Sequence, residues 1–430
     1  VIQQWDCVIV GGGPAGASTA SALARRGLRV LIVDRAYFPR DKPCAEYLSP
    51  EAGRVLQAMG ALEACERAGG AELAGMIVRA PSGELIHGDF AAAHGWHGFR
   101  DRGLAIRRRV LDAILLDCAC RAGAAVAQGE RVTELLRDDG GAVCGVGTLD
   151  QSGRRVERRA SFVVGADGLR SVVARRVGVA PRIRFPRRLA VVTHYQGVRG
   201  VGAYGEMHVE HDGYAGLADV GGGITNVAVV VPMRGMRDHA QPGALVDRWI
   251  ERHPQLRSRF VGARRVSVPR ATGPFAWRAR RAWAPGVALV GDAADFFDPF
   301  TGEGIYAALR GGELLAPCIE QSLGATSLAD RHQALAGYDA ARRKAFAGKW
   351  HVEHLIGLAV GAPALMNLAA LALRRRKDLA DLLVGVTGDF VPPQAVLTPA
   401  FVLGLLSAWR PRYRSATSTS AHSLTSSLDP

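Results

Sequence analysis

No two cysteines in this chain stand at C-x-x-C spacing, and the seven present show no zinc-ligand pattern. That removes the usual thiol-based metal and redox sites. Cys118 and Cys120 are too close for an ordinary disulfide, and an odd count without pairing suits a reducing compartment. Lysine is scarce. Lys42, Lys344, Lys349 and Lys377 are the four lysines among 54 basic residues, so arginine carries the formal charge of +14. The arginines are scattered, with short clusters at Arg154–Arg159, Arg182–Arg188, Arg278–Arg281 and Arg374–Lys377. No basic helix interleaved with aromatics emerges, which argues against a nucleic-acid partner. The first residues, VIQQWDCVIVGGG, read as a strand and not as a secretory leader, so a cytoplasmic location is expected. Long apolar runs are also broken. Residues 355–373 and 390–409 carry no charge, but Pro363 and Asn367 interrupt the first, and Pro392, Pro393 and Pro399 interrupt the second. Covering helices or a patch lying on a membrane surface fit better than a span. Peripheral membrane contact through 355–409 stays open. Residues 415–430 lack core-forming side chains and are expected to be disordered.

What remains is ordinary globular composition, 48% hydrophobic and 22% charged, enough to bury a sizeable core. The most specific segment is DCVIVGGGPAGASTASALARRGLRVLIVDR. Cys7–Val10 is a short apolar run of the kind found in buried parallel strands. Gly11, Gly13 and Gly16 follow at G-x-G-x-x-G spacing, with Pro14 and Ala15 between them and helix-forming residues after. Gly11 permits the tight turn, Gly13 lets backbone approach a pyrophosphate, and Gly16 lets helix and strand pack closely. The helix N-terminus offers free N–H groups to phosphates. A second strand, RVLIVD, ends in Asp34, followed by Arg35. An acid at that position suits a ribose diol. The motif implies a dinucleotide without choosing among dinucleotides.

Three further motifs lie downstream. GLAIRRRVLDAILLDCACRAGA carries Arg108 at a helix start. SFVVGADGLRSVVARRVG is a strand, a turn at Asp167 and Gly168, and a helix. GDAADFFDPFTGEGIY follows the apolar run WAPGVALV and holds Gly291, Asp292, Pro299, Gly302, Glu303, Gly304 and Ile305.

Together these motifs resemble the FAD-dependent oxidoreductases of the para-hydroxybenzoate hydroxylase and geranylgeranyl reductase type, which are related to flavin-dependent halogenases. The resemblance covers roughly residues 1–320. It implies FAD as cofactor, with electrons from NAD(P)H or from reduced flavin supplied by a partner. It places Asp167-Gly168 and Gly291-Asp292 against ribose and pyrophosphate, and Arg108 near the diphosphate. Pro299 and Gly302–Ile305 would line the isoalloxazine ring. The fold class implied is α/β: a discontinuous Rossmann-like FAD-binding domain (1–75, 100–180, 270–325), an antiparallel β-sheet substrate domain (76–99, 181–269) and a C-terminal helical region (326–414).

The reaction is less legible. A halogenase would carry W-x-W-x-I-P and a lysine near substrate. This chain has no W-x-W, and Lys42 reads as a surface charge. GEGI and the loop KPCAEYLSP, with Cys44, look like prenyl reductases, yet the roof reads GYAGLADV without their tryptophan or Phe-Pro. A monooxygenase needs a dry apolar pocket and little protein acid–base chemistry. Monooxygenation of a hydrophobic, aromatic or polyketide-like small molecule therefore stands slightly ahead, with reduction of a prenyl or lipid double bond as the alternative. A halogenase and a prenyl carrier without flavin chemistry follow behind. Glu303 and Cys44 are the candidate catalytic residues. Glu303 either handles a proton beside the flavin or caps the next helix. Cys44 either touches the flavin or is a small buried hydrophobe. His194, His208 and His211 lie on or beside the predicted sheet and read as ordinary polar partners more than as substrate ligands.

Overall fold

A computed structural model describes residues 4–92, 95–179, 187–233 and 241–407; the rest of the Arg182–Arg188 cluster before Arg187, and the 415–430 tail, lie outside the described residues. Apolar runs at Trp5–Val10 and Val30–Asp34 form adjacent parallel strands, with Cys7 opposite Val30. Both are buried on their two faces, as expected of a parallel sheet between helices. The sheet runs Val287–Leu289, Arg155–Gly165, Trp5–Val10, Val30–Asp34, Ala125–Gln128, all parallel. Three of these strands come from distant parts of the sequence, so the dinucleotide-type domain is discontinuous. Arg155–Gly165 also runs outward into an antiparallel meander with Val143–Leu149 and Arg131–Arg137.

The second sheet lies above the mouth of the first. Its order is Arg264–Arg265, Arg188–Gln196, Ile224–Pro232, Gly213–Asp219, Tyr204–Glu210, Gly75–Arg79, Leu85–Asp89, with Arg270–Thr272 also on Arg188–Gln196. Side chains alternate as strands require. Val191, Leu217, Val227 and Val229 pack outward on the helix Pro242–Arg252, through Trp249 and Leu245. Ala190, Val192, Met207, Tyr214, Ala228 and Val230 face the first domain. One pairing departs from an all-antiparallel roof: Tyr204–Glu210 runs parallel to Gly75–Arg79. The two strands come from separate excursions of the chain, so no hairpin imposes antiparallel order on them.

The helix Gly304–Gly324 lies along Pro14–Ala24, and Gly312 allows the closest approach, since a Cβ there would meet Thr19 N and Ser18 Oγ at 2.7 Å. The 34-residue helix Leu328–Gly361 returns beside it. The next helices, Pro363–Arg375 and Lys377–Thr387, cover the roof's edge strand Leu85–Asp89. The Asp89 N–H donates to Asp381 Oδ1 at 2.8 Å and the Ser82 N–H to Asn367 Oδ1 at 2.9 Å. The covering helices therefore sit on the second sheet, where an open strand edge needs protection. Among the described residues no single helix is long and apolar enough to cross a membrane; Leu328–Gly361 and Pro363–Arg375 qualify only as a pair bent by 113°.

The glycine fingerprint divides its labour. Gly11 holds φ +105°, and a Cβ on Gly16 would lie 1.8 Å from the Gly11 carbonyl oxygen. Gly16→Ala is expected to push helix and strand apart and to lower stability by about 1–3 kcal/mol, the usual cost of overpacking. A urea or thermal melt of the purified variant reads this directly, and an unchanged midpoint would contradict it.

Candidate functional site

The end of the first strand, the N-terminus of Pro14–Ala24 and the turn at Asp167-Gly168 enclose a groove of about 1200 Å³. Gly11, Gly13, Asp34, Arg35 and Asp167 line it together. Gly13 precedes the helix, and a Cβ there would meet nothing nearer than Arg40 Nη2 at 3.5 Å and Arg108 Nη2 at 3.6 Å. The protein itself does not need glycine here, so the open space belongs to a ligand. Helix N–H groups and two guanidinium groups converge on it, a setting made for phosphate.

Arg108 is buried, at the start of the helix Arg108–Arg121, and its guanidinium donates to both oxygens of Asp112 at 2.7 and 2.9 Å. Arg40 donates to the same carboxylate at 2.9 Å. One buried acid thus holds two cations in place. Asp34 accepts from the N–H groups of Gly12 and Ala36, both at 2.8 Å. Those bonds lock the turn and leave lone pairs on each oxygen for a diol. Arg35 lies exposed on the same rim. Asp167 accepts from the Val172 N–H through Oδ2, while its buried Oδ1 has no partner, and burial raises its carboxyl against the pull of Ser171 and that N–H. An orphaned buried oxygen facing an open groove fits a sugar hydroxyl donor.

A smaller cavity of about 150 Å³ continues from this groove beneath the roof. Pro14, Ala15, Cys44, Gly168, Asp292, Pro299, Gly302, Gly304 and Ile305 line it with the apolar roof residues. Gly291 holds φ +62° against Ala15, and Gly302 holds φ +74° against the Tyr47 ring. Lys42 is not a free surface charge. It points into this site against Gly168; burial, then Arg108, lower its pKa, while Asp292 opposes that shift. Burial likewise raises the Asp292 carboxyl, and Lys42 and Arg108 hold it down. The other aspartates of the loop look elsewhere. Asp295 pairs with Arg342 at 2.8 Å, and Asp298 pairs with Arg188 at 2.9 Å and accepts from Tyr214. They tie the loop to the long helix and to the roof.

Cys44 is half-buried at the cavity wall, and burial pushes its thiol above the ordinary range against the pull of Arg108. Its loop is clasped by Glu46, which holds φ +62°. Glu46 accepts from the Arg108 N–H at 2.8 Å, from Asn226 at 3.0 Å, and bonds His194 Nε2 at 2.7 Å. His194 Nδ1 reaches Ser267 Oγ at 2.9 Å. His194 is thus a structural partner, as is His208, bonded to Glu206 at 2.8 Å. His211 is exposed in the turn after Tyr204–Glu210.

Glu303 is 7% exposed and makes no capping bond to the helix it precedes. Its carboxylate turns instead toward Lys349, with Oε2 3.7 Å from Nζ. Burial raises Glu303, with Lys349 opposing. Behind it lies a cavity of about 870 Å³, lined also by Glu353, Asp389 and Trp350. Sequence reading missed Lys349, Asp389, Arg40 and the Glu46 clasp. Lys349 left one signal: it is a lysine in a chain that otherwise uses arginine.

Residues 4–346 match the model of the FAD binding domain family. Digeranylgeranylglycerophospholipid reductase 2 of Methanopyrus kandleri is 30% identical over 350 residues, covering 77% of this chain and 82% of its own. The solved myxobacterial chondrochloren halogenase CndH is similar at TM-score 0.75 and 25% identity, covering 83% of each chain. PqsL, a probable FAD-dependent monooxygenase from Pseudomonas aeruginosa, gives TM-score 0.68 at 24% identity over 84% of this chain and 98% of its own.

Gly13→Val is expected to abolish flavin retention while leaving the melting midpoint of the flavin-free protein nearly unchanged, because a Cβ there meets no protein atom closer than 3.5 Å. Visible absorbance of the purified variant checks it, and stoichiometric bound FAD would remove Gly13 from the site.

Proposed function

The chain belongs to the FAD binding domain family and is an FAD-dependent oxidoreductase, and from that premise we propose that it reduces a carbon–carbon double bond in a hydrophobic, isoprenoid-type lipid. The observation that carries this reading is Glu303. Its backbone belongs to the loop lining the smaller cavity, and its buried carboxyl is not used as a helix cap. Saturating a double bond requires a proton as well as an electron pair. FAD, when bound, supplies the electron pair. Glu303 is the buried acid standing directly behind the cofactor loop, and we assign it as the reservoir from which the second carbon's proton is drawn; burial favours its protonated form. Oxygenation places little demand on a protein acid. The M. kandleri relative named as a reductase supports the same choice.

The chain's other residues bind and orient. Arg40, Arg108 and the helix N-terminus beside Gly13 hold the diphosphate, and Asp34 and Asp167 take hydroxyls. Gly302 and Gly304, at the wall of the smaller cavity, would let backbone approach the ring. Cys44 and the roof side chains exclude water above it. Monooxygenation keeps one specific support, the apolar roof over the cavity.

A lipid substrate also accounts for an apolar surface. Leu355, Leu358, Leu365, Val402, Leu403 and Leu406 are exposed on three C-terminal helices, and Leu355 lines the 870 Å³ cavity. We place a membrane surface against them. Each such leucine gains about 1.5–3 kcal/mol on full burial. Leu365→Asp with Leu403→Asp is expected to cut co-sedimentation with phospholipid vesicles at least tenfold; unaltered sedimentation would remove this surface.

The reaction itself is read anaerobically with dithionite-reduced enzyme and geranylgeranylated phospholipid. The product is expected to be two hydrogens heavier per double bond, and Glu303→Gln to slow it by about 10²-fold with flavin content intact. Uptake of an oxygen atom under air, with no anaerobic product, would promote monooxygenation instead.

A further inference from the structure

The 870 Å³ cavity lies on the far side of the Glu303 loop from the dinucleotide groove, between that loop and the helix Leu328–Gly361. It shares Asp292, Phe296 and Gly304 with the cavity beneath the roof and extends away from it toward the long helix. Its wall carries an unusual charge ratio. Lys349 contacts the Asp389 carboxylate and stands 3.7 Å from Glu303. Glu353 lies one helical turn beyond Lys349 on the same wall. Two carboxyls therefore lie within ion-pair reach of one ammonium, and Glu353 adds a third to the same wall. The Asp389 side chain is fully buried, and its backbone holds φ +70°, a conformation that side chains other than glycine rarely adopt.

The neighbouring cations are engaged elsewhere. Arg342 pairs with Asp295 and Asp339, Arg188 with Asp298, and Arg54 with Glu51 and Glu313. Arg278 lies 3.8 Å over the Trp350 ring. The acids Glu51, Asp295 and Asp298 add negative potential at Lys349 or Glu353, and Tyr47 and Tyr306 flank the Glu303–Lys349 pair with neutral rings. His351 and His354 are exposed on the cavity rim.

We propose that Glu303, Lys349, Glu353 and Asp389 form a proton-sharing cluster, open to solvent through this cavity, that keeps one carboxyl protonated at neutral pH and returns a proton to Glu303 after each turnover. Carboxylates crowded in a low-dielectric site cannot all ionise around a single cation. Burial acts in the same direction, raising Glu303 and Glu353 and lowering Lys349. The cavity brings water to the half-buried Glu353, while Lys349 lies buried beside it and Glu303 stands at the loop between cavity and cofactor groove. Each transfer is a plain proton exchange: water protonates the cluster, the cluster protonates Glu303, and the substrate carbon takes that proton. The use of the proton rests on the double-bond reading above; the existence of the cluster does not.

Infrared spectroscopy of the FAD-loaded enzyme, without substrate, tests the cluster. At neutral pH the wild type is expected to show the carbonyl stretch of a protonated carboxyl, shifted in deuterium oxide. Glu303→Gln or Glu353→Gln should remove or displace that band. Lys349→Met, which takes away the one cation, should carry it to higher pH, and Asp389→Asn should carry it to lower pH. Absence of the band in the wild type at neutral pH would overturn the proposal, as would a band indifferent to all four changes. If a variant fails to retain FAD, the wild-type titration still decides. An oxygenated product together with the band would overturn the reduction reading and leave the cluster standing.

Discussion

Everything at the cofactor end depends on how closely one helix can approach one strand. Gly16 lies where any side chain would drive into the Gly11 carbonyl oxygen, 1.8 Å away. Because that contact is backbone on backbone, the N-terminus of Pro14–Ala24 points straight into the groove, and its unsatisfied N–H groups face the space beside Gly13. Gly312 continues the same constraint outward, letting Gly304–Gly324 lie on Ser18 and Thr19. That second helix begins where the glycine-rich loop ends. One tight interface therefore positions both the phosphate end and the ring end of the site.

The roof makes one comparable backbone contact, where a Cβ on Gly221 would lie 1.8 Å from the Gly69 carbonyl oxygen, and elsewhere charge ties it to the loop. Arg188 on its second strand pairs with Asp298 in the loop, and Tyr214, two strands along, donates to the same carboxylate. Asp295 binds Arg342 on the long helix. These pairs are buried, where a broken partner leaves an uncompensated charge and costs far more than the pair gains. They specify where the loop sits more than they stabilise the whole. The Glu46 clasp does the same on the opposite wall, joining the Cys44 loop to Arg108, Asn226 and His194 with hydrogen bonds of 2.7–3.0 Å.

The two sides of the loop 291–304 differ in electrostatics. On the groove side, the arginines and Lys42 along the wall outnumber its acids, Asp34, Asp41, Glu130 and Asp167. On the other side, one lysine stands among three carboxyls. A loop that carries three aspartates and Glu303 among glycine, alanine and phenylalanine separates a cation-rich compartment, suited to a dianionic cofactor, from an acid-rich one suited to storing protons.

The local elements were legible in the residues. G-x-G-x-x-G after an apolar strand, Asp34 at the next strand end, the turn at Asp167-Gly168 and the Gly291–Ile305 loop all stand where their order implied. Each is a contiguous strand–turn–helix whose glycine demands are properties of its own backbone. The alternation of 189–231 likewise announced a sheet, though not its one parallel pairing with Gly75–Arg79, which joins segments more than a hundred residues apart. The charges followed no such local rule. Lys42 read as a surface residue and lies in the site; Glu303 read as a cap or an acid, and the choice lay with Lys349 and Asp389, distant in sequence and adjacent in space. Backbone conformation is decided within a few residues. A carboxyl's proton is decided by every charge within several ångströms and by the water it has lost, and both are assembled only when the chain is folded.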